Sequence, residues 1–262
     1  MRELRLSLFF HISDCAILSS MDRDFKTLGI VIRKENRGER NALISILTPD
    51  MGLVEAVGFG SGRGAKSYRS PLYGEGVFSL ERKSESSIYL KDSEIITEHE
   101  WIKSDLDSIA LSSLFSELVI KARTVDNAVY KLYTSVLDSM GDGMTERSAV
   151  YFLTHFLSLE GLSGDWETCP GCGREYAEDE ILGFSTLSCS AVCSSCDTLS
   201  GALILPPNAR RYVMWVSRSD IDTALGYSIS DGAVKRIRNY LVRSLQYIFP
   251  ARLKSLEAGL LS

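Results

Sequence analysis

Five of the six cysteines in the chain fall between Cys169 and Cys196. Cys169 and Cys172 form one Cys-x-x-Cys pair, Cys193 and Cys196 form another, and twenty residues separate the two pairs. That spacing is the pattern of a four-cysteine zinc site. Each pair lets two thiolates reach one ion from a tight turn, and two such knuckles supply the closed tetrahedron of a structural Zn²⁺. Pro170, Gly171 and Gly173 are turn residues suited to the first knuckle. Cys169, Cys172, Cys193 and Cys196 are therefore the expected ligands. Cys189 is the fifth cysteine. It could replace Cys193 through a looser six-residue spacing to Cys196, but the tighter pair makes it the spare thiol. Five unliganded core cysteines are the competing reading, which the surrounding Ser, Gly, Asp and Glu disfavour.

The same residue types argue against catalysis at the metal. A nucleobase deaminase pairs Pro-Cys-x-x-Cys with an upstream His-x-Glu, whereas this chain has Cys-Pro-Gly-Cys and only a His99-Glu100 adjacency. No His-Glu-x-x-His motif occurs, and three histidines, His11, His99 and His155, cannot easily build an open histidine site. His155 lies among apolar residues and is expected to be structural. "GFGSGRGAKS", Gly58 to Ser67, has a superficial likeness to a phosphate loop. However, Ala65 stands where the motif needs Gly, and "YRSPLYGEG" cannot supply the following helix. A basic loop carrying Arg63, Lys66 and Arg69 beside Tyr68 is the better reading.

These groups must be positioned by a chain of 262 residues that is 45% hydrophobic, long enough to bury a core without disulfides. No apolar run reaches the length of a bilayer-spanning helix, so a membrane protein is not expected, and a cytoplasmic setting is. Residues 1–20 resemble a weak signal peptide interrupted by His11, Ser13 and Asp14; the preferred expectation is an extension before Met21 or a misassigned start, with Cys15 incidental. Five β-rich runs follow: "TLGIVIRK", "ALISILTP", "GLVEAVGFG", "GVFSLERK" and "SIYLKDSEII". Turns at Asn36 to Gly38, Pro49 to Gly52 and Gly58 to Gly64 separate them. Five strands over residues 21–100 predict a small barrel, an OB-fold by preference and an SH3-like barrel as the alternative.

From Asp22 to Lys83 there are eleven Lys/Arg and eight Asp/Glu, so this segment is net +3 within a chain of net −5. Arg33, Lys34, Arg37 and Arg40 gather at the first turn, interleaved with Glu35 and Glu39. Arg33, Arg37 and Arg40, with Arg63, Lys66 and Arg69, are the candidate contacts to a nucleic-acid backbone.

After Trp101 the apolar period becomes helical. Ile109, Leu111, Leu114, Phe115, Leu118 and Ala122 mark one helix, and Val129 to Met140 a second. A third runs from Thr145 to a stop at Gly161. The zinc module occupies 169–200, between helical segments 101–168 and 201–262. A last helix is capped by Ser230, buries Val234, Ile237, Leu241, Leu245 and Ile248, and ends at Pro250. Arg236, Tyr240, Arg243 and Tyr247 are read as its exposed basic and aromatic face, suited to an acidic tail or a nucleic-acid strand. The predicted fold class is α+β.

"GIVIRKENRGERNALISILTPDMGLVEAVGFGSGRGAKS", the segment from Cys169 to Cys196, and "RSLQYIFPARLKSLEAGL" together resemble the RecO family of recombination mediators. Family members with the zinc module carry a Gly-Gly pair where Cys189 and Ser190 stand here. The resemblance implies a non-enzymatic role in DNA repair. It implies binding to single- and double-stranded DNA, strand annealing, contact with the acidic tail of single-strand-binding protein, and cooperation with RecR in loading recombinase. A zinc-stabilised protein adaptor without DNA binding is the alternative. A metalloenzyme would need an open metal position and a general base, which the sequence does not offer.

Overall fold

The computed structural model describes residues 23–37, 41–59, 70–84, 87–259 and 261. Two compact units emerge: the residues up to Glu98 together with Val125–Tyr130, and His99–Thr124 together with the residues from Lys131 onward.

The first unit is a closed barrel of β1 (Asp24–Arg37), β2 (Asn41–Thr48), β3 (Gly52–Phe59), β4 (Glu75–Ser84) and β5 (Ser87–Thr97), in the order β1-β2-β3-β5-β4. All pairs are antiparallel except β3 with β5. This is the OB-fold arrangement, and the alternative SH3-like barrel is set aside. β1 serves two neighbours. Its first half pairs with β4, its second with β2, and an irregularity between Val31 and Arg33 bends it from one to the other. Side chains that alternate inward, among them Val31, Ile44, Ile46, Val54, Phe78 and Leu90, fill the interior. Each expected strand overlaps an observed one; the second runs one residue past β2 into the turn at Pro49, and the third ends one residue beyond β3, outside the described residues. At the β2–β3 turn the Thr48 hydroxyl accepts from Met51 N–H at 3.1 Å and donates to the Gly52 carbonyl at 2.9 Å. The turn at Asn36 to Gly38 runs into residues outside the described ones.

The second unit is helical. It comprises α1 (Leu106–Lys121), α2 (Asn127–Gly141), of which the first residues belong with the barrel unit, and α3 (Thr145–Leu159). After the cysteine module come α4 (Pro207–Arg218), α5 (Ile221–Leu225), α6 (Asp231–Ile248) and α7 (Lys254–Glu257). Asp105 caps α1 by accepting from Ser108 N–H at 2.9 Å. Gly161, at φ 69°, takes the left-handed position that ends α3. Phe115, Phe152 and Phe156 stack through the centre, with ring centroids 4.1 and 5.3 Å apart.

Two sequence expectations change, and a buried arginine appears that the sequence reading did not single out. Ile109 is exposed, because it lies off the stripe that Leu111, Leu114, Phe115 and Leu118 bury. Ser230 stands at the N-cap of α6, but its side chain makes no capping bond. Arg238, between the expected surface residues of α6, is buried at 2% exposure and holds Glu146 through two bonds of 2.8 and 3.0 Å.

Candidate metal centre and basic faces

The first knuckle is a short hairpin. Thr168 bridges Glu175, Cys169 N–H donates to the Arg174 carbonyl at 2.8 Å, and Gly173 N–H donates to the Cys169 carbonyl at 2.7 Å. The second knuckle is delivered by β6 (Gly183–Ser185) and β7 (Ser190–Val192), with Cys193 following β7 and Cys196 closing a 3-10 turn onto it at 2.9 Å. The Sγ atoms of Cys169, Cys172, Cys193 and Cys196 all lie within 4.8 Å of one another. Cys172 and Cys193 are 3.8 Å apart. Tetrahedral ligation at a Zn–S length of about 2.3 Å sets sulfurs about 3.8 Å apart, so the four thiols fit a metal ion of that kind.

The backbone already favours thiolate. Burial works against charge on Cys169, but N–H groups of Cys193, Cys172 and Gly171 overcome it and draw the thiol down to about 6. Cys196 moves the other way, to about 12, chiefly through its hydrogen bond with Cys193. Gly171 sits close against the second knuckle: a Cβ there would stand 3.0 Å from Cys196 Sγ, so a side chain would press on that sulfur. Asp197, which the sequence reading overlooked, organises the second knuckle by accepting from Phe184, Leu199 and Gly201 N–H groups. Cys189 lies outside the four-sulfur group. It sits at φ 50° in the β6–β7 turn, where its thiol meets the Thr186 carbonyl.

His155 is structural, as expected. Its Nε2–H donates to the Val216 carbonyl at 3.0 Å, and burial lowers its pKa.

Of the six arginines and lysines expected to contact nucleic acid, Arg33 and Arg37 are described; Arg40, Arg63, Lys66 and Arg69 lie outside the described residues. Arg37 is exposed at the end of β1. Arg33 is engaged, with Nη2 2.5 Å from Glu55, Nη1 3.5 Å from Glu35 and Nε donating to Ser45. Sequence reading missed two cation-aromatic pairs on the barrel, Arg82 over Phe25 at 5.4 Å and Lys83 over Tyr89 at 4.6 Å.

On α6, Arg236, Arg243 and Tyr247 are exposed, but Tyr240 is not. At 5% exposure it belongs to the apolar stripe of Ile237 and Leu241, and Phe184 of β6 lies against both Tyr240 and Tyr247, at 6.4 and 5.6 Å. The helical spacing placed Tyr240 near the basic face; the packed hairpin, invisible in the periodicity of α6, covers it. Lys235 joins the exposed face instead. α4 also carries Arg211, Trp215 and Arg218 on one exposed side, with Trp215 5.5 Å from Tyr227. Their i, i+4, i+7 spacing was the available signal.

Comparison with known proteins decides the family. Residues 103–257 match the family model described as "Recombination protein O C terminal".

The chain belongs to the recombination protein O family.

Its relatives are named for the same role. It is 23% identical over 244 residues to the DNA repair protein RecO of Dehalococcoides mccartyi, covering 89% of this chain and 94% of that one. The DNA repair protein RecO of Exiguobacterium sp. is 22% identical over 237 residues, 88% of this chain and 93% of its own. That of Desulfatibacillum aliphaticivorans is 24% identical over 244 residues, 88% and 94% of the two chains. A role in DNA repair and recombination follows from membership. Among the described residues no helix is long and apolar enough to cross a membrane.

Proposed function

We propose that this chain is a non-enzymatic recombination mediator that binds single- and double-stranded DNA, anneals complementary strands and helps load recombinase onto strands coated by single-strand-binding protein. The observation that carries this reading is the closed β1-β2-β3-β5-β4 barrel in a member of the recombination protein O family. Barrels of this design track a single strand through basic groups and aromatic rings without reading its sequence. Arg37, Arg40, Arg63, Lys66 and Arg69 are the proposed backbone contacts, and Arg33 is a weaker one because Glu55 and Glu35 already engage it.

Cys169, Cys172, Cys193 and Cys196 would hold zinc. Four thiolates leave no open position, so the ion supplies folding energy and no chemistry. Arg236, Arg243 and Tyr247 present a face for the acidic tail of single-strand-binding protein, with Tyr240 packed beneath it, and RecR is the other expected partner.

The test is a fluorescence-anisotropy titration of a labelled single strand at several salt concentrations. The wild type is compared with a variant in which Arg37, Arg40, Arg63, Lys66 and Arg69 are all alanine. The expected result is steeply salt-dependent binding by the wild type, with the slope of log affinity against log salt reduced by about 3 in the variant. Equal binding by the two proteins would move the DNA site off the barrel, and no binding by either at low salt would leave a protein adaptor as the function.

A further inference from the structure

Arg210 on α4 is 6% exposed, and no carboxylate among the described residues pairs with it. Its Nη2 donates to the carbonyls of Ala177 and Glu178, at 2.9 and 3.2 Å. The guanidinium lies 5.5 Å over the Tyr176 ring. Nε and Nη1 have no partner among the described residues. Arg238, comparably buried, holds Glu146. A buried cation without such a partner is costly unless another negative charge compensates it.

The acids beside Arg210 do not serve. The Glu178 and Asp179 side chains are exposed, and Glu180 is taken by Arg174. The other candidate is the cysteine cluster. Tyr176 directly follows the first-knuckle hairpin, its N–H donates to the Glu167 carbonyl, and its hydroxyl donates to the Ala191 carbonyl two residues before Cys193. Tyr176 is thus interleaved between the knuckles and Arg210. Four thiolates around one dication leave two uncompensated negative charges.

We infer that Arg210 is the buried countercharge of the metal-loaded four-thiolate centre, positioned across the Tyr176 ring, so that metal retention and the seating of α4 are coupled. This rests on the reading of the four cysteines as a metal site. The arginine acts through its charge, and its carbonyl bonds hold it in place.

Zinc transfer from the full chain to the chromophoric chelator 4-(2-pyridylazo)resorcinol tests it, with wild type, Arg210→Met and Arg210→Lys. The methionine keeps the apolar stem and removes the charge; the lysine keeps the charge and loses the planar fork. The expected result is release at least about tenfold faster from Arg210→Met, with Arg210→Lys within about threefold of wild type. The thermal midpoint of Arg210→Met should also fall further in zinc-loaded than in zinc-stripped protein. Equal falls with and without zinc, or Lys and Met variants that release alike, would make Arg210 a carbonyl clamp alone and overturn the inference. Should Arg210→Met fail to fold, Arg210→Lys decides: retention like wild type supports the countercharge, and tenfold faster release overturns it. A wild type that binds no zinc is a separate result, since it sinks the metal reading as well.

Discussion

Cys172 and Cys193, with sulfurs 3.8 Å apart, make the metal centre testable one side chain at a time. Cys193→Ser should lower bound zinc to less than about a tenth of a molar equivalent, because three thiolates lose the closed tetrahedron. Cys189→Ser should leave the full equivalent in place, since Cys189 stands outside the group of four. Metal analysis of the two purified variants separates these outcomes, and equal losses in both would reassign the ligand set. Gly171→Ala belongs to the same series: its Cβ would press on Cys196 Sγ and should weaken retention without removing a ligand. The four-cysteine group was legible because Cys-x-x-Cys is a local motif whose geometry the spacing itself dictates. Asp197 and Tyr240 were not, because their roles depend on the β6–β7 hairpin, where Asp197 gathers N–H groups and Phe184 covers Tyr240.

At the scale of elements, short helices are held by single acids. Glu117 on α1 accepts from Lys254 N–H, Ser255 N–H and the Ser255 hydroxyl at 2.7 to 2.9 Å, and pairs with Lys121 at 2.8 Å. Burial opposes its charge, but these donors prevail and hold its carboxyl at about 2. The folded value lies below the ordinary carboxylate range, so the stabilisation is fully present above about pH 4.5 and is lost as pH falls toward 2. Glu117→Gln should release α7 from α1 at neutral pH, costing about 1–2 kcal/mol after solvent screening. Hydrogen exchange at Lys254 and Ser255 would then be faster in the variant at pH 7, with the difference closing at pH 2; unchanged exchange at pH 7 refutes the anchor. Glu146→Gln is the harsher case, because it strands the buried guanidinium of Arg238, and a loss of about 3–5 kcal/mol is expected in denaturant unfolding. The five strands could be read from the sequence since alternation and turn residues agree along the barrel. On α4 the apolar stripe of Ala209, Tyr212, Val213 and Val216 follows helical spacing, but nothing in that spacing announces that Arg210 is buried with it, because its partners lie in another segment of the chain.

For the whole molecule, two kinds of stabilisation are segregated by unit. The barrel is held by strand pairing and its apolar interior, whereas the helical unit contains the four-cysteine group proposed to hold zinc. Removing the metal should therefore act unevenly. Chelation should deprotect amides at Phe184, Val192 and Cys196 and lower the unfolding temperature of the helical unit, because binding energy at such a site is folding energy. Ile44 and Ile46 in the barrel interior should keep their protection, and the affinity for a single strand should change by less than about threefold if the basic groups of the barrel hold the backbone electrostatically. Hydrogen exchange and anisotropy measured on the same stripped sample read both halves of this expectation. If strand affinity instead falls in step with bound metal, the DNA contact includes the helical unit. The exposed Arg211, Trp215 and Arg218 face of α4 would then be the next surface to neutralise, since it lies on the helix that carries Arg210 and combines two cations with an indole on which a base can stack.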